Sequence, residues 1–162
     1  MSENWKNTLG AAKSVNFPVG QAAKGNPGVA GIVGNTPNTI GYIGSEYAFA
    51  QKLAYANVKN KQGEMITPST ESISAAAGDI PQDTRCSITD ADAPGAYPIS
   101  CFTWLIIYQE QNYSGRSKAQ AQATVDLLEY VLSDSVQQTT TTVHYAPLPR
   151  QAVDLSLQNL KT

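Results

Sequence analysis

The chain has 162 residues, of which 41% are hydrophobic and 15% are charged, and its formal net charge is −2. This length supports a core of ordinary size for one domain or for two smaller lobes. The balanced charge argues against nucleic acid and a basic membrane-binding surface, because both need clustered lysine and arginine. No apolar run approaches the ~20 residues of a membrane-spanning helix.

The first part of the chain predicts two helices and two short strands. A first helix is capped by Ser2 and stopped by Gly10, and "SVNFPVG" predicts a short strand. Asn26 suits the start of a second helix, because an amide side chain caps free backbone N–H groups. Residues 39–43 then predict a short buried strand.

The middle of the chain predicts a helix, a hairpin, another helix and then a linker. Ser45 caps the helix "EYAFAQKL", and two apolar segments turn near Gln62-Gly63 as a β-hairpin. A further helix begins at Ser69 or Thr70. Residues 79–98 are polar, acidic and proline-bearing, which makes them the best candidate for a boundary between lobes.

The segment at 99–108 is nearly continuous in its apolar character and rich in β-branched and aromatic residues, which is typical of a central strand. We expect Trp104, Leu105 and Ile107 to be mostly buried in that strand. A Trp104→Ala change would then cost roughly 3–5 kcal/mol. Helix 117–132 is predicted to pack on the same sheet.

The last third predicts a long amphipathic helix, an extended connection and a final helix. The inward face of the long helix is predicted to contain Ala121, Val125, Leu128 and Leu132. The stretch "QQTTTTVHYAPLP" predicts an extended connection, and Pro149 begins the last helix. Strands and helices alternate over most of the chain, which favours an α/β class with a largely parallel sheet.

A glycine-rich stretch, "AKGNPGVAGIVG", contains the ingredients of an anion site at a helix start. It is not a Walker A sequence, because Lys24 precedes the glycines, and its glycine spacing is not that of a dinucleotide fingerprint. The favoured interpretation is that these glycines turn the chain and let a helix pack closely. Lys24, Asn26 and Gly28 remain a candidate weak anion site.

No group of residues predicts an enzyme or a metal site. The only histidine, His144, has no G-x-S-x-G nucleophile elbow to serve, and a turn histidine is the favoured interpretation. Asp90 and Asp92 lack the remaining ligands of a calcium loop and indicate a solvated acidic loop. We therefore expect no enzymatic activity, metal or cofactor.

The two cysteines, Cys86 and Cys101, lie fifteen residues apart and far in sequence from the histidine, so no Cys/His zinc set is expected. A disulfide between them would close a loop and stabilise the folded state by roughly 3 kcal/mol. The alternative is two free thiols, one of them buried in a strand.

Nine stretches occur together in the order seen in a known protein family. They are Trp5-Lys6, "VNFPVG", "AKGNPGVAGIV", "TPNTIGYI", "SEYA", "LAYANVKN", "ITPSTESI", "AYPISCFTWLI" and "YAPLP". In this the chain resembles the PstS family, the periplasmic phosphate-binding protein of the ABC phosphate transporter. The departures are Phe17, Ala23, Asn38 and Gly44, all at packing or turn positions.

The resemblance implies a type II periplasmic-binding-protein-like α/β fold, with parallel-rich sheets, flanking helices and part of a two-lobe architecture. Residues 1–94 would be the later part of the second lobe, and 95–162 would cross the hinge and complete the first lobe. Gly95 and Pro98 suit the hinge. The implied function is capture of inorganic phosphate outside the cytoplasmic membrane, in the periplasm or extracellular space, and delivery to an ABC permease without a cofactor.

The family's phosphate ligands come mainly from earlier in its chain, including an R-x-D-G-S-G-T motif that this sequence does not contain. The resemblance therefore implies a C-terminal half without a signal peptide. The alternative is a non-binding interaction subunit that self-associates or pairs with a separate N-terminal half. Without the upstream half, strands 39–43 and 99–108 would expose unpaired backbone groups and one apolar face, and the isolated chain is expected to self-associate. In an exported protein, the Cα atoms of Cys86 and Cys101 would lie within about 7 Å.

Overall fold

The computed structural model describes residues 2–12, 14–78 and 80–161. The chain divides into two compact units, Met1–Ile43 and Gly44–Thr162. Its helices in the described ranges are α1 (Glu3–Thr8), α2 (Gly25–Asn35), α3 (Ser45–Ala50), α4 (Thr70–Ala75), α5 (Lys118–Val131), α6 (Asp134–Thr139) and α7 (Arg150–Asn159). The strands are β1 (Val58–Lys59) and β2 (Met65–Ile66), and a 3₁₀ turn covers Thr140–Val143.

The first unit confirms the predicted helix at the start of the chain. The Ser2 hydroxyl accepts the Trp5 N–H at 3.1 Å, which satisfies one of the free donors of α1. The Trp5 indole donates to the Gly10 carbonyl at 2.8 Å, and its ring lies 5.9 Å from that of Phe17. The predicted strand over "SVNFPVG" is absent from the described part of that stretch.

Helix α2 begins at Gly25, slightly before the predicted cap at Asn26, with Lys24 in the cap position. Residues 39–43 are not the buried strand that the sequence predicts, because Ile40 is 94% exposed. A Cβ atom on Gly41 would lie only 2.8 Å from a methyl group of Val29 on α2. Glycine at this position therefore lets the extended chain approach the helix.

The second unit contains the predicted hairpin, which is confirmed. Strands β1 and β2 pair antiparallel, with Val58 opposite Ile66 and Lys59 opposite Met65. Gly63 has a φ of +89°, a conformation that favours glycine, in the turn between them. This hairpin is the sheet of the described residues, so the predicted parallel-rich sheet is not seen in them.

Local capping signals place two of the remaining helices, α4 and α5. The predicted start of α4 is confirmed, because the side chains of Ser69 and Ser72 form a reciprocal capping box. Helix α5 is opened by a second box between Ser117 and Gln120. The predicted inward face of α5 is half-buried along its length: Ala121, Val125, Leu128 and Leu132. No sheet lies under it in the described residues, so the predicted helix-on-sheet packing is wrong.

The end of the chain is more helical than predicted. Helix α6 and the 3₁₀ turn replace most of the expected extended connection. The Gln137 side chain joins this region to its neighbours, since it donates to the Val131 carbonyl and accepts the Leu148 N–H, each at 2.9 Å. The last helix is confirmed, with Pro149 at its cap position and Val153 buried.

The buried cluster of the second unit is built from small side chains. Ala76 and Ala77 at the end of α4 contact Ile88 and Ala96, and Phe102 packs partly buried against them. These side chains join α4 to the segments on either side of the predicted hinge. Ile88 contributes the largest fully aliphatic side chain of the cluster and is 5% exposed.

The Glu64 carboxylate fastens the hairpin to the predicted hinge. One oxygen accepts the Gly95 N–H at 2.9 Å and an Asn60 amide N–H at 2.8 Å. Gly95 has a φ of +69°, a backbone conformation that favours glycine. The Gly95 N–H first, and then the Asn60 amide, hold the pKa of Glu64 below its usual range.

We expect stability to fall in acid partly through this carboxylate. Because the pKa of Glu64 is lower in the folded state, its stabilising effect is present above its ordinary pKa and is lost as the pH falls through the folded value. A Glu64→Gln variant should show a weaker loss of melting temperature between neutral and acidic pH than the parent. The control is Glu129→Gln, at an exposed position on α5. Equal acid sensitivity in the parent and Glu64→Gln would contradict the prediction.

Among the described residues, no helix combines the length and the apolar character needed to cross a bilayer.

Candidate functional site

The residues predicted as a weak anion site lie together at the start of α2. Lys24 makes no side-chain cap, and both Lys24 and Asn26 are exposed. A Cβ on Gly28 would lie 3.2 Å from the Ala23 side chain, so close packing explains this glycine. Pro27 has no N–H to offer an anion. The anion site stays a prediction.

The other titratable candidates have local partners. His144 ends the 3₁₀ turn with a φ of +63°, and its ring lies 6.0 Å from that of Phe49. Asp92 forms an exposed ion pair with Lys61 at 3.4 Å. Within the described residues, no three His, Cys, Asp or Glu side chains are placed to hold a metal ion.

The two cysteines are free thiols in this structure. Their segments face each other, because the Thr89 hydroxyl donates to the Ser100 carbonyl at 3.1 Å. Cys86 is half-buried, whereas Cys101 is exposed. The disulfide of an exported form stays a prediction.

The most unusual feature of the second unit is the segment at 99–108. The sequence predicts a buried central strand, and this is wrong for the structure: the segment forms no strand, and Ile106 is 92% exposed. Trp104 is 48% exposed, with its ring 5.3 Å from that of Phe102. Because Trp104 is only half-buried, Trp104→Ala should lower the free energy of unfolding by less than the ~3 kcal/mol expected for a core aromatic residue.

The backbone of segment 99–108 is as open as its side chains. Over the described parts of the chain, its N–H and C=O groups make no hydrogen bond to another backbone group. Its contacts come from side chains: the Thr89 hydroxyl reaches Ser100, and the Gln111 amide reaches the Tyr108 carbonyl. Free donors and acceptors along an extended chain are the groups that pair with another strand.

Side-chain burial changes along this segment. Up to Phe102 the residues alternate, with Ser100 buried and its neighbours exposed. From Thr103 onward both faces are exposed, although five consecutive residues are large and apolar. A strand that is apolar on both faces is normally covered on both by other layers of the protein. Residues 103–108 therefore have the composition of a strand that is covered on both faces, although their side chains are exposed.

An open depression of about 690 Å³ lies beside this segment. It is lined by residues 84–87 and 104–107, which include the half-buried Cys86 and the aromatic Trp104. The Arg85 guanidinium is held by Asp83 at 2.9 Å, so it is already paired at the rim. The depression is apolar on the side of 104–107 and provides space for further side chains rather than an anion cradle.

Sequence reasoning missed the contact between Glu64 and Gly95. For segment 99–108 it anticipated the open backbone but wrongly predicted that Trp104, Leu105 and Ile107 are mostly buried. The first had no signal, because a glutamate in a hairpin turn does not reveal a partner 31 residues away. Segment 99–108 did contain a signal, because none of its ten residues has a charged side chain. Such a pattern is typical both of a buried strand and of a strand that needs a partner.

No protein-family model matches the chain. Among curated relatives, the phosphate-binding protein PstS of Methanocaldococcus jannaschii is 37% identical, over 97% of this chain and 44% of that protein. PstS of Xylella fastidiosa is 32% identical over 94% of the chain and 42% of the relative, and PstS of Pasteurella multocida 29% over 100% and 47%. The chain thus spans less than half the length of these relatives. The resemblance is confirmed, and the relatives imply an α/β fold of the periplasmic-binding-protein kind.

Proposed function

We propose that this chain, which belongs to the PstS family, is the C-terminal part of a phosphate-binding component of an ABC transporter. In this proposal the complete protein captures inorganic phosphate outside the cytoplasmic membrane and delivers it to a permease. The observation that carries it is the match over 97% of the chain to a relative named as a phosphate-binding protein.

The chain's share in this function is to build the scaffold around the phosphate site. It lacks the R-x-D-G-S-G-T motif, and its glycine-rich stretch at Lys24 is used for close packing. Phosphate would be held by backbone N–H, hydroxyl and arginine groups of the remaining part of the protein. Residues 1–94 would belong to the second lobe and 95–162 to the first, with the hinge at Gly95.

The Glu64 contact suits this hinge assignment. Gly95 has a positive φ, which turns the chain, and its N–H donates to the Glu64 carboxylate, which holds the turn in place. Tyr97 is held in the same way, since its N–H donates to the Ser72 carbonyl at 2.9 Å. These two bonds fix the hairpin and α4 to the start of the hinge.

A second candidate function, a non-binding interaction subunit, is favoured by segment 99–108. Its apolar side chains and open backbone suit a protein partner and do not suit a small anion. On this alternative the chain would pair with another polypeptide without contributing to phosphate capture.

Calorimetric titration with phosphate distinguishes the two functions. We expect no sub-micromolar binding by the chain alone, because the ligand motif is absent. After addition of a PstS fragment that carries R-x-D-G-S-G-T, we expect phosphate binding that the fragment alone does not give. Sulfate is the matched anion. A complex that forms and does not bind phosphate would favour the interaction subunit, and sub-micromolar binding by the chain alone would contradict the scaffold role.

A further inference from the structure

We infer that Asn112 is the acceptor of an N-linked oligosaccharide in the exported form of this protein. This inference rests on the part of the proposed function that places the protein outside the cytoplasmic membrane, where such sugars are attached. Asn112 is followed by Tyr113 and Ser114, and an asparagine with serine or threonine two residues later is the acceptor sequence of this modification. Of the asparagines in these 162 residues, Asn112 is the one with this spacing.

The acceptor sequence lies in an exposed loop between segment 99–108 and helix α5. In the described chain, the backbone of residues 109–115 makes one hydrogen bond to another backbone group, from the Arg116 N–H to the Tyr113 carbonyl at 3.1 Å. A transferase has to take the acceptor out of its local structure, and this loop has little backbone pairing to lose. Loops of this kind are also the usual surface sites at which an enzyme reaches a folded protein.

Arg116 fixes the two residues that flank the acceptor asparagine. Its guanidinium donates to the Gln111 side-chain carbonyl at 2.8 Å and to the Tyr113 hydroxyl at 2.7 Å. A further bond, to the Gln120 carbonyl at 3.0 Å, fastens the same guanidinium to α5. The loop is therefore held at its base by the side chains that the acceptor sequence does not require.

The side chains that the transferase would recognise are free. Glu110, Asn112 and Ser114 are exposed, and they make no hydrogen bond or ion pair within the described parts of the chain. All three line the same open depression, of about 390 Å³. An enzyme can thus reach the acceptor amide, the hydroxyl and the carboxylate from one side.

Glu110 is the second observation that points to this modification. The bacterial class of oligosaccharyltransferase selects a longer sequence, in which an acidic residue precedes the asparagine by two positions. The stretch "EQNYS", Glu110 to Ser114, satisfies this longer requirement as well as the shorter one. An exposed carboxylate without a partner can form a charge-assisted bond to a cationic side chain of the enzyme.

The transfer is a substitution at the first sugar of a lipid-linked oligosaccharide phosphate. The Asn112 amide nitrogen forms a bond to C1 of that sugar, and the bond between C1 and the phosphate oxygen breaks. The phosphate leaves on its lipid with the bonding electron pair, and the amide nitrogen loses one proton to a base of the transferase. Nothing is oxidised or reduced. The Ser114 hydroxyl positions the acceptor by hydrogen bonding to the enzyme.

The test is modification of the folded chain by a purified bacterial oligosaccharyltransferase supplied with a lipid-linked oligosaccharide. Mass spectrometry of the tryptic peptide 86–116 measures the added sugar. We expect the oligosaccharide on the parent and its loss in Asn112→Gln, Ser114→Ala and Glu110→Gln. The matched control is Glu129→Gln, which makes the same change as Glu110→Gln at an exposed position on α5 and should be modified like the parent.

The variants separate recognition from folding. Because the three side chains make no bonds in the described chain, all three variants should unfold at the same urea concentration as the parent. A parent chain that is not modified overturns the inference. Modification that persists in Ser114→Ala also overturns it, because the sugar would then be attached without recognition of the acceptor sequence.

The outcomes also distinguish this inference from the proposed function. The reaction is repeated in the presence of the PstS fragment that carries R-x-D-G-S-G-T, with phosphate binding measured by calorimetry. Loss of modification in that mixture overturns the acceptor site, because the loop would be covered in the complete protein, and phosphate binding would still leave the function standing. Modification without phosphate binding supports the acceptor site and contradicts the phosphate function.

Discussion

An Ile88→Ala variant should lose about 2–5 kcal/mol of its free energy of unfolding. Ile88 is 5% exposed and contacts Ala76, Ala77 and Ala96. The neighbouring alanine side chains are too short to fill the space that the shortened side chain leaves. The cost therefore includes both lost burial and an unfilled cavity.

The same substitution at Ile106 provides a control. Ile106 is 92% exposed, so Ile106→Ala removes little buried surface in the isolated chain, and its unfolding midpoint should stay close to that of the parent. Urea unfolding followed by circular dichroism measures both variants. Equal stability of Ile88→Ala and the parent would show that the alanine cluster is not the core of the second unit.

Local signals in the sequence predicted the starts of α1, α4 and α5 well, whereas the predicted caps Asn26 and Ser45 lie inside α2 and α3. Ser2 and Ser69 accept backbone N–H groups three residues ahead, and the serine–glutamine box at Ser117 opens α5. The hairpin was equally predictable, because a glycine with positive φ turns the chain within a few residues. In each case the hydrogen-bonding partner lies nearby in sequence, so the local sequence is enough to predict the helix or the turn.

Strands were less predictable because their partners lie elsewhere. The apolar pattern of 99–108 correctly indicates a segment suited to a sheet, yet a strand exists only when neighbouring chain supplies the other half of each hydrogen bond. The pattern at 39–43 failed for the same reason, with Ile40 left in solvent. At 134–143 the threonine run favours extended chain, but short helical turns and the Gln137 side-chain bonds prevail.

The candidate site was only partly predictable for a related reason. The sequence indicated that Lys24, Asn26 and Gly28 lie at a helix start, and this is where they lie. It also placed Gly95 at a change of chain direction. It gave no indication that Glu64 would anchor this turn, because the contact depends on the hairpin and the hinge meeting in three dimensions.

The isolated chain should associate with itself at tens of micromolar concentration, the range in which modest apolar contacts form complexes. Segment 99–108 drives this association, because pairing two open strand edges satisfies backbone groups and removes apolar side chains from water at the same time. We expect light scattering to give a dimer or a larger species.

A lysine at Ile106 should shift the isolated chain to monomer. The new charge has to lose its water when the edge is covered, and two copies bring two like charges together. The control is Leu127→Lys, which adds the same charge to an exposed position on α5, away from segment 99–108 in sequence. A parent chain that is a stable monomer at tens of micromolar would refute the association. Equal shifts by Ile106→Lys and Leu127→Lys would mean that net charge, and not the strand edge, controls it.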